Sequence, residues 1–208
     1  VIDVPVISAV YFGPVELYRL LARHPEAIVD VGEHYERQSY RTRTSIVGPN
    51  GVQDLVVQIS RRSGEKMPMS TVGLSYAESW PQQHIHAFRS AYGKTPWAIH
   101  FLDDIEELIT TEHGRLIDLD LQTMQLCMKW LGLKSVLQVI DHYIEPSEIA
   151  TGLDLRNSLH PKKPLPSSVE PFPPYPQVFA DRHGFVSRLS VIDLLCNTGP
   201  HARRYLTV

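Results

Sequence analysis

The side chains best placed to do chemistry in this sequence fall into three groups. Near the C-terminus, Ser190, Asp193 and Asn197 follow one another at i, i+3 and i+7. On a helix that spacing sets a hydroxyl, a carboxylate and an amide along one stripe, beside an apolar wall of Leu189, Ile192, Leu195 and Cys196. Such a stripe would line a polar pocket and orient a hydroxylated ligand. The same residues also punctuate a helix, since Ser190 with Asp193 makes a capping box and Asn197-Thr198-Gly199-Pro200 makes a stop. On spacing alone capping is the preferred reading.

The second group is Tyr35, Gln38, Tyr40, Arg41 and Arg43. Two arginines at strand spacing point the same way, which would give two guanidinium forks suited to phosphate or carboxylate; a solvated strand face is the plain alternative. The third pairs Tyr11, before a helix N-terminus at the usual mouth of an α/β site, with His84, whose imidazole has the ordinary pKa for proton transfer near neutrality. His84 and His86 stand at i, i+2 on different helix faces and make no zinc pair.

Two other patterns read as ordinary structure. Asp118-Leu119-Asp120 has the form of a divalent-metal motif, but it opens a long amphipathic helix, where acids complement the positive end of the macrodipole. His100 with Asp104 matches an acyltransferase spacing without its flanking histidine and glycine. No phosphate-binding glycine loop or Gly-x-Ser-x-Gly elbow occurs. Cys127 and Cys196 are too few and too far apart for a disulfide framework or a metal pair, and read as small buried residues.

The elements that would position these groups are those of an α/β fold. Val4 to Gly13 reads as a buried strand, Pro14 to Ala22 as a helix stopped by His24-Pro25, and Glu26 to Val31 as a second strand, which makes a βαβ opening. Asn50-Gly51 between two β-rich runs signals a hairpin, so the sheet is expected to be mixed. Arg61 to Thr71 reads as a loop and Val72 to Tyr76 as a short strand. The middle section is helical over 81–92, 96–110 and 116–131, with Gly132 as a cap, and Ser135 to Ile140 returns to strand. Residues 161–176 are too proline-rich for regular structure and read as an extended surface segment before a C-terminal helix, within one domain over 1–208.

Composition bounds the partners. With 43% hydrophobic and 21% charged residues the chain can bury a core, and a formal charge of −3 argues against a general electrostatic grip on nucleic acid. Short basic clusters (Arg41 and Arg43, Arg61 and Arg62, Arg203 and Arg204) are not arms. No apolar stretch reaches the length of a membrane span and no export signal is visible, so the expected location is the cytoplasm.

Read together, Tyr11-Phe12-Gly13-Pro14-Val15-Glu16-Leu17-Tyr18, Ile28-Val29-Asp30, Tyr35 with Gln38 to Arg43, Gly51, Leu55-Val56-Val57 and Ser75 to Trp80 resemble the WbqC-like family. The likeness continues through His84, Ala91-Tyr92, Pro96, Tyr175 to Phe179, Gly184-Phe185 and Leu189 to Gly199. The resemblance implies a transferase that adds glycine, or a similar aminoacyl or acyl group, to an activated sugar in surface polysaccharide (O-antigen-type) biosynthesis. Longer members open with a His-Gln-Pro-Asn-Tyr type motif where this chain has Ile7-Ser8-Ala9-Val10-Tyr11, and Thr42 and Cys196 replace the family's Asn and Phe. Without that histidine, the chain either binds without catalysing or uses His84.

Two readings follow. In the first, an enzyme, Arg41 and Arg43 clamp phosphates with Tyr40 and Tyr11 beside them, His84 is the general base, and Asp193 with Gln177, Ser190 and Asn197 orients the sugar. In the second, the chain is a non-catalytic sugar- or nucleotide-binding or assembly protein. The sequence assigns no cofactor, metal or oligomeric state.

Overall fold

The computed structural model describes residues 1–60 and 66–207; Arg61 and Arg62 lie outside them. The chain runs β1 (Val6–Ile7), α1 (Val15–Arg23), β2 (Glu26–Asp30), β3 (Arg43–Gly48), β4 (Gly51–Val56), β5 (Ile59–Ser60), β6 (Gly73–Leu74), α2 (Trp80–Tyr92), α3 (Leu102–Thr110), α4 (Leu116–Leu131), β7 (Val136–Ile140), α5 (Ala180–His183), α6 (Val191–Thr198) and α7 (Ala202–Thr207), with short 3-10 turns between some of them.

The βαβ opening is present. Pro14, with φ of −69°, precedes the first turn of α1, and the crossover returns as β2 parallel to β1. β7 joins β2 on its other side, also parallel, so the sheet order is β1-β2-β7. β2 is apolar because both its faces are covered. Ala27 and Val29 face the main core with Leu17, Leu21 and the buried sides of α4 and α6, while Ile28 faces a smaller core with Val6, Ile144 and Ile149.

Parallel and antiparallel strands are both present, as an α/β chain of this pattern predicts, but they are segregated: β3 pairs with β4 and β5 with β6 as separate antiparallel pairs. The hairpin turn also differs from the expected Asn-Gly type. Gly48 pairs with Gly51, so Pro49 and Asn50 are the turn residues, and the fixed negative φ of proline excludes a primed turn. Gly51 takes the positive φ of 108° instead.

β1 is much shorter than the apolar run from Val4 to Gly13. After Ile7 the chain leaves the sheet in an irregular turn that contains Phe12 at φ of 40°. The proline-rich stretch forms no helix or strand, yet it is not confined to the surface: Val169, Phe172 and Tyr175 are buried, and Phe172 and Tyr175 pack edge to face at 5.7 Å. Among the described residues no helix is long and apolar enough to cross a membrane.

Candidate active site at the carboxyl end of the parallel sheet

The turn after β1 is held from three sides. The Phe12 amide donates to Thr123 Oγ1 at 3.2 Å, and the Phe12 carbonyl accepts from Thr44 Oγ1 at 2.7 Å and from Ser190 Oγ at 3.0 Å. A left-handed backbone on a bulky, fully buried aromatic costs about 1–3 kcal/mol and persists only where the surroundings fix it. Here β3, α4 and the start of α6 fix it, and the residue they fix in place is the neighbour, Tyr11.

Tyr11 is fully buried, and its hydroxyl meets His84 Nδ1 at 2.9 Å, joining β1's turn to α2 across 73 residues of sequence. Trp80, one turn before His84, packs edge-on against both rings at 6.3 and 5.1 Å and excludes water from the pair. His84 is only 3% exposed. Burial disfavours the imidazolium and brings the pKa down to about 4, and the Val56 carbonyl, which favours a protonated ring, offsets this only in part. The ring is therefore neutral at pH 7.

Asp120 lies on α4 and is fully buried, with no hydrogen-bond partner for either carboxyl oxygen among the described residues. Burial pushes its pKa well above the carboxylate range, opposed only by the Arg41 guanidinium. Its charge in turn disfavours ionisation of Tyr11 and Tyr18, which places it within electrostatic reach of both phenols. The Asp-x-Asp motif is thus divided. Asp118 is spent outside on Arg115 at 2.8 and 3.0 Å, while Asp120 points into the core. Burial thus disfavours the charged form of both groups, the imidazole that bonds Tyr11 and the carboxyl within electrostatic reach of it. Environments that drive two titratable groups apart in this way mark acid and base roles.

Around the ends of β1 and β2 a second set of charges is tightly paired. Arg41 donates from Nε and Nη2 to both Glu33 oxygens, at 2.9 and 2.6 Å, and from Nη2 to the Arg156 carbonyl at 3.0 Å. Burial raises the Glu33 pKa and Arg41 works against it. Arg156 binds Asp30 at 2.5 Å and Asp154 at 2.6 Å. Gly32, between Asp30 and Glu33, lets the 142–143 backbone approach: a Cβ there would fall 2.2 Å from His142. Ser8, Tyr40, Arg41 and Arg156 line a space of about 10 Å³ between these ends and Leu155, room for about one water. The Tyr40 phenol, beside Arg188 and Glu16, is pushed up to about 12 mainly by burial.

Arg43 does not join Arg41. β3 begins only at Arg43, so the strand spacing that would align the two forks does not apply, and Arg43 turns across the hairpin to Asp54 at 2.8 Å. The C-terminal group also stands apart. Ser190 caps α6 by accepting from the Ile192 amide at 3.3 Å. Asp193 accepts from Tyr175 at 2.6 Å and from Gln177 at 3.2 Å, and its pKa is raised to about 6 by burial. Gln177 also brackets Val186 through both its amide atoms, and Asn197 accepts from the Val178 amide at 3.0 Å while donating to the Asp193 carbonyl at 2.8 Å. These residues fasten the segment 175–178 to α6. Among the described residues Asp193 makes no hydrogen bond to Tyr11, His84 or Arg41.

Glu33, Thr123 and Arg156 were not singled out by type and spacing, and Asp120 was read with Asp118 as part of a helix start. A signal for Asp120 exists: Leu116, Asp120, Thr123, Met124, Cys127 and Leu131 share the buried stripe of α4, so the carboxyl interrupts an apolar face. Among the described residues no three metal-ligating side chains cluster.

No curated protein and no solved structure matches the chain. The family model that does match, over residues 10–160, is that of the WbqC-like protein family. It covers most of the chain, from the turn that carries Tyr11 to the loop that carries Arg156, and the protein belongs to that family.

Proposed function

We propose that the protein is a transferase that adds glycine, or a similar aminoacyl or acyl group, to an activated sugar in surface polysaccharide biosynthesis, with Tyr11, His84 and Asp120 at its centre. The observation that carries this reading is the buried hydrogen bond between Tyr11 and His84, with the unpartnered Asp120 carboxyl within electrostatic reach of the same phenol. Acyl transfer needs both partners. An acceptor amine or hydroxyl must lose a proton as it attacks the acyl carbon, and the leaving group must gain one as its bond breaks.

In this scheme the acceptor proton passes to Tyr11 as the Tyr11 proton passes to His84 Nδ1, and Asp120 protonates the leaving group. The proton then returns from the imidazolium to the Asp120 carboxylate before the next turnover. Arg41, with Tyr40 beside it, is the proposed contact for the sugar's phosphates, and Arg43, turned to Asp54, is left out of it. Asp193, Gln177, Ser190 and Asn197 act at one remove by holding the 175–178 segment and the Phe12 turn.

The test incubates the chain with UDP-amino sugars, glycine and ATP, or with aminoacyl donors, and follows the sugar by mass spectrometry. A mass gain that falls by about 100-fold or more in Asp120→Asn and His84→Gln, at retained fold, is the expected result. A second reading is favoured by the pairing of Arg41 with Glu33 and the single-water space beside it: a non-catalytic sugar- or nucleotide-binding protein. A thermal shift with nucleotide sugars and no mass gain from any donor would select it.

A further inference from the structure

A separate recess lies at the other, amino-terminal end of the parallel sheet. It measures about 350 Å³ and is formed where α1 runs into β2, where the chain enters β7, and along α7. Arg23, His24, Lys134, Ser135, Arg203 and Thr207 supply its polar lining, and no acidic residue lines it. A smaller recess of about 150 Å³ continues from it, sharing Arg23 and His24 and adding Arg19. Glu170, at that far end, pairs with Arg19 and Arg23 at 3.0 and 2.7 Å. Lys134 and Arg203 form no ion pair among the described residues.

The positive charge has a partial structural reason. Arg23 closes the last turn of α1, and the Arg203 guanidinium lies over Gly132, the cap of α4, where cations complement helix carbonyls. That accounts for cations at helix ends and not for the convergence of Lys134 and Arg203, which have no ion pair among the described residues, on one concave space of ligand size in a chain of net charge −3. Like charges gathered around a cavity repel one another, and an anion between them removes the repulsion.

We propose that this recess binds a small phosphorylated ligand, with the phosphate held between Lys134 and Arg203 and the remainder lying toward Arg23 and His24. Its volume is near the lower bound for small-molecule sites, which suits a nucleotide or sugar phosphate. The site is on the opposite end of the sheet from Tyr11 and does not depend on the transferase reading.

The test titrates the intact chain with pyrophosphate and with UDP by calorimetry at low and at moderate salt, beside a short polyglutamate peptide. Saturable binding of the phosphate probes that weakens with salt, and falls about tenfold for each of Lys134→Ala and Arg203→Ala, is expected. Both side chains are exposed, so the variants stay folded, Arg203→Ala losing at most about 1 kcal/mol with its place over the end of α4. Binding left unchanged by both substitutions, absence of saturation by either phosphate probe, or binding of polyglutamate alone would each overturn the proposal.

Discussion

Asp120 and Asp193 are both fully buried carboxyl groups on helices, each close to a tyrosine, and they are employed in opposite ways. Asp193 receives a 2.6 Å hydrogen bond from Tyr175 and a second from Gln177, with the Tyr92 hydroxyl beside the same carboxyl. Burial then raises it only to about 6. Asp120 receives no hydrogen bond among the described residues, and burial raises it with only the Arg41 guanidinium opposing. A buried polar group that has been given partners stabilises the fold, whereas one left without them destabilises it and persists for another reason. Asp193 is a fastener, and Asp120 has no such use among the described residues.

The sharpest way to break the comparison is to remove each carboxyl and measure unfolding in urea. Asp193→Ala strands the buried hydroxyl of Tyr175 and frees the 175–178 segment from α6, so it is expected to cost about 3–5 kcal/mol. A loss below about 1 kcal/mol would mean that the Phe172 and Tyr175 packing alone holds the proline-rich stretch, and that Asp193 is not its fastener.

A second prediction sets His84 against Asp193 through pH. The folded pKa of His84, about 4, lies below its ordinary 6.5, so the unfolded chain takes up the proton first and stability falls as pH drops from 6.5 to 4. At about 1.4 kcal/mol per pKa unit this amounts to at most about 3 kcal/mol. Asp193 has the opposite sign: its folded pKa, about 6, lies above the ordinary 3.8, so stability rises as pH drops from 6 to 4. These two contributions oppose each other. Relative to the wild type, His84→Gln should therefore gain stability on acidification across that window, and Asp193→Asn should lose it. Parallel pH profiles for both variants would show that neither group titrates as its surroundings dictate.

Much of the scaffold was legible because local signals agreed. The apolar period of α2 and α4, the Gly132 cap, the Pro14 start and the β-branched runs of β2 and β7 each suffice to place an element. β1 was not legible at its true length. Its apolar run continues into a turn because Thr123, Thr44 and Ser190, all distant in sequence, fix Phe12 in a left-handed conformation that no local pattern announces. The site divides in the same way. Tyr11 and His84 were visible one at a time, as a strand end and a helical histidine, but their contact spans three elements. Arg41 and Arg43 looked alike because strand spacing was extended one turn too early. Asp120 was masked by Asp118, whose place at a helix start explains only itself.

The smallest expected effect is the most discriminating. Asp120→Leu replaces a carboxyl whose oxygens make no hydrogen bond with an apolar group of similar size, in a stripe already made of Leu116, Met124 and Cys127. If Asp120 has no structural partner, nothing is left unsatisfied by its removal and its desolvation cost disappears, so stability should change by less than about 1 kcal/mol, or rise. A structural carboxyl would behave like Asp193 and lose several kcal/mol. Urea unfolding of Asp120→Leu beside Asp193→Ala therefore decides whether the buried acid is held for the fold. A small change for the first and a large one for the second leaves the Tyr11 centre as the reason Asp120 is retained.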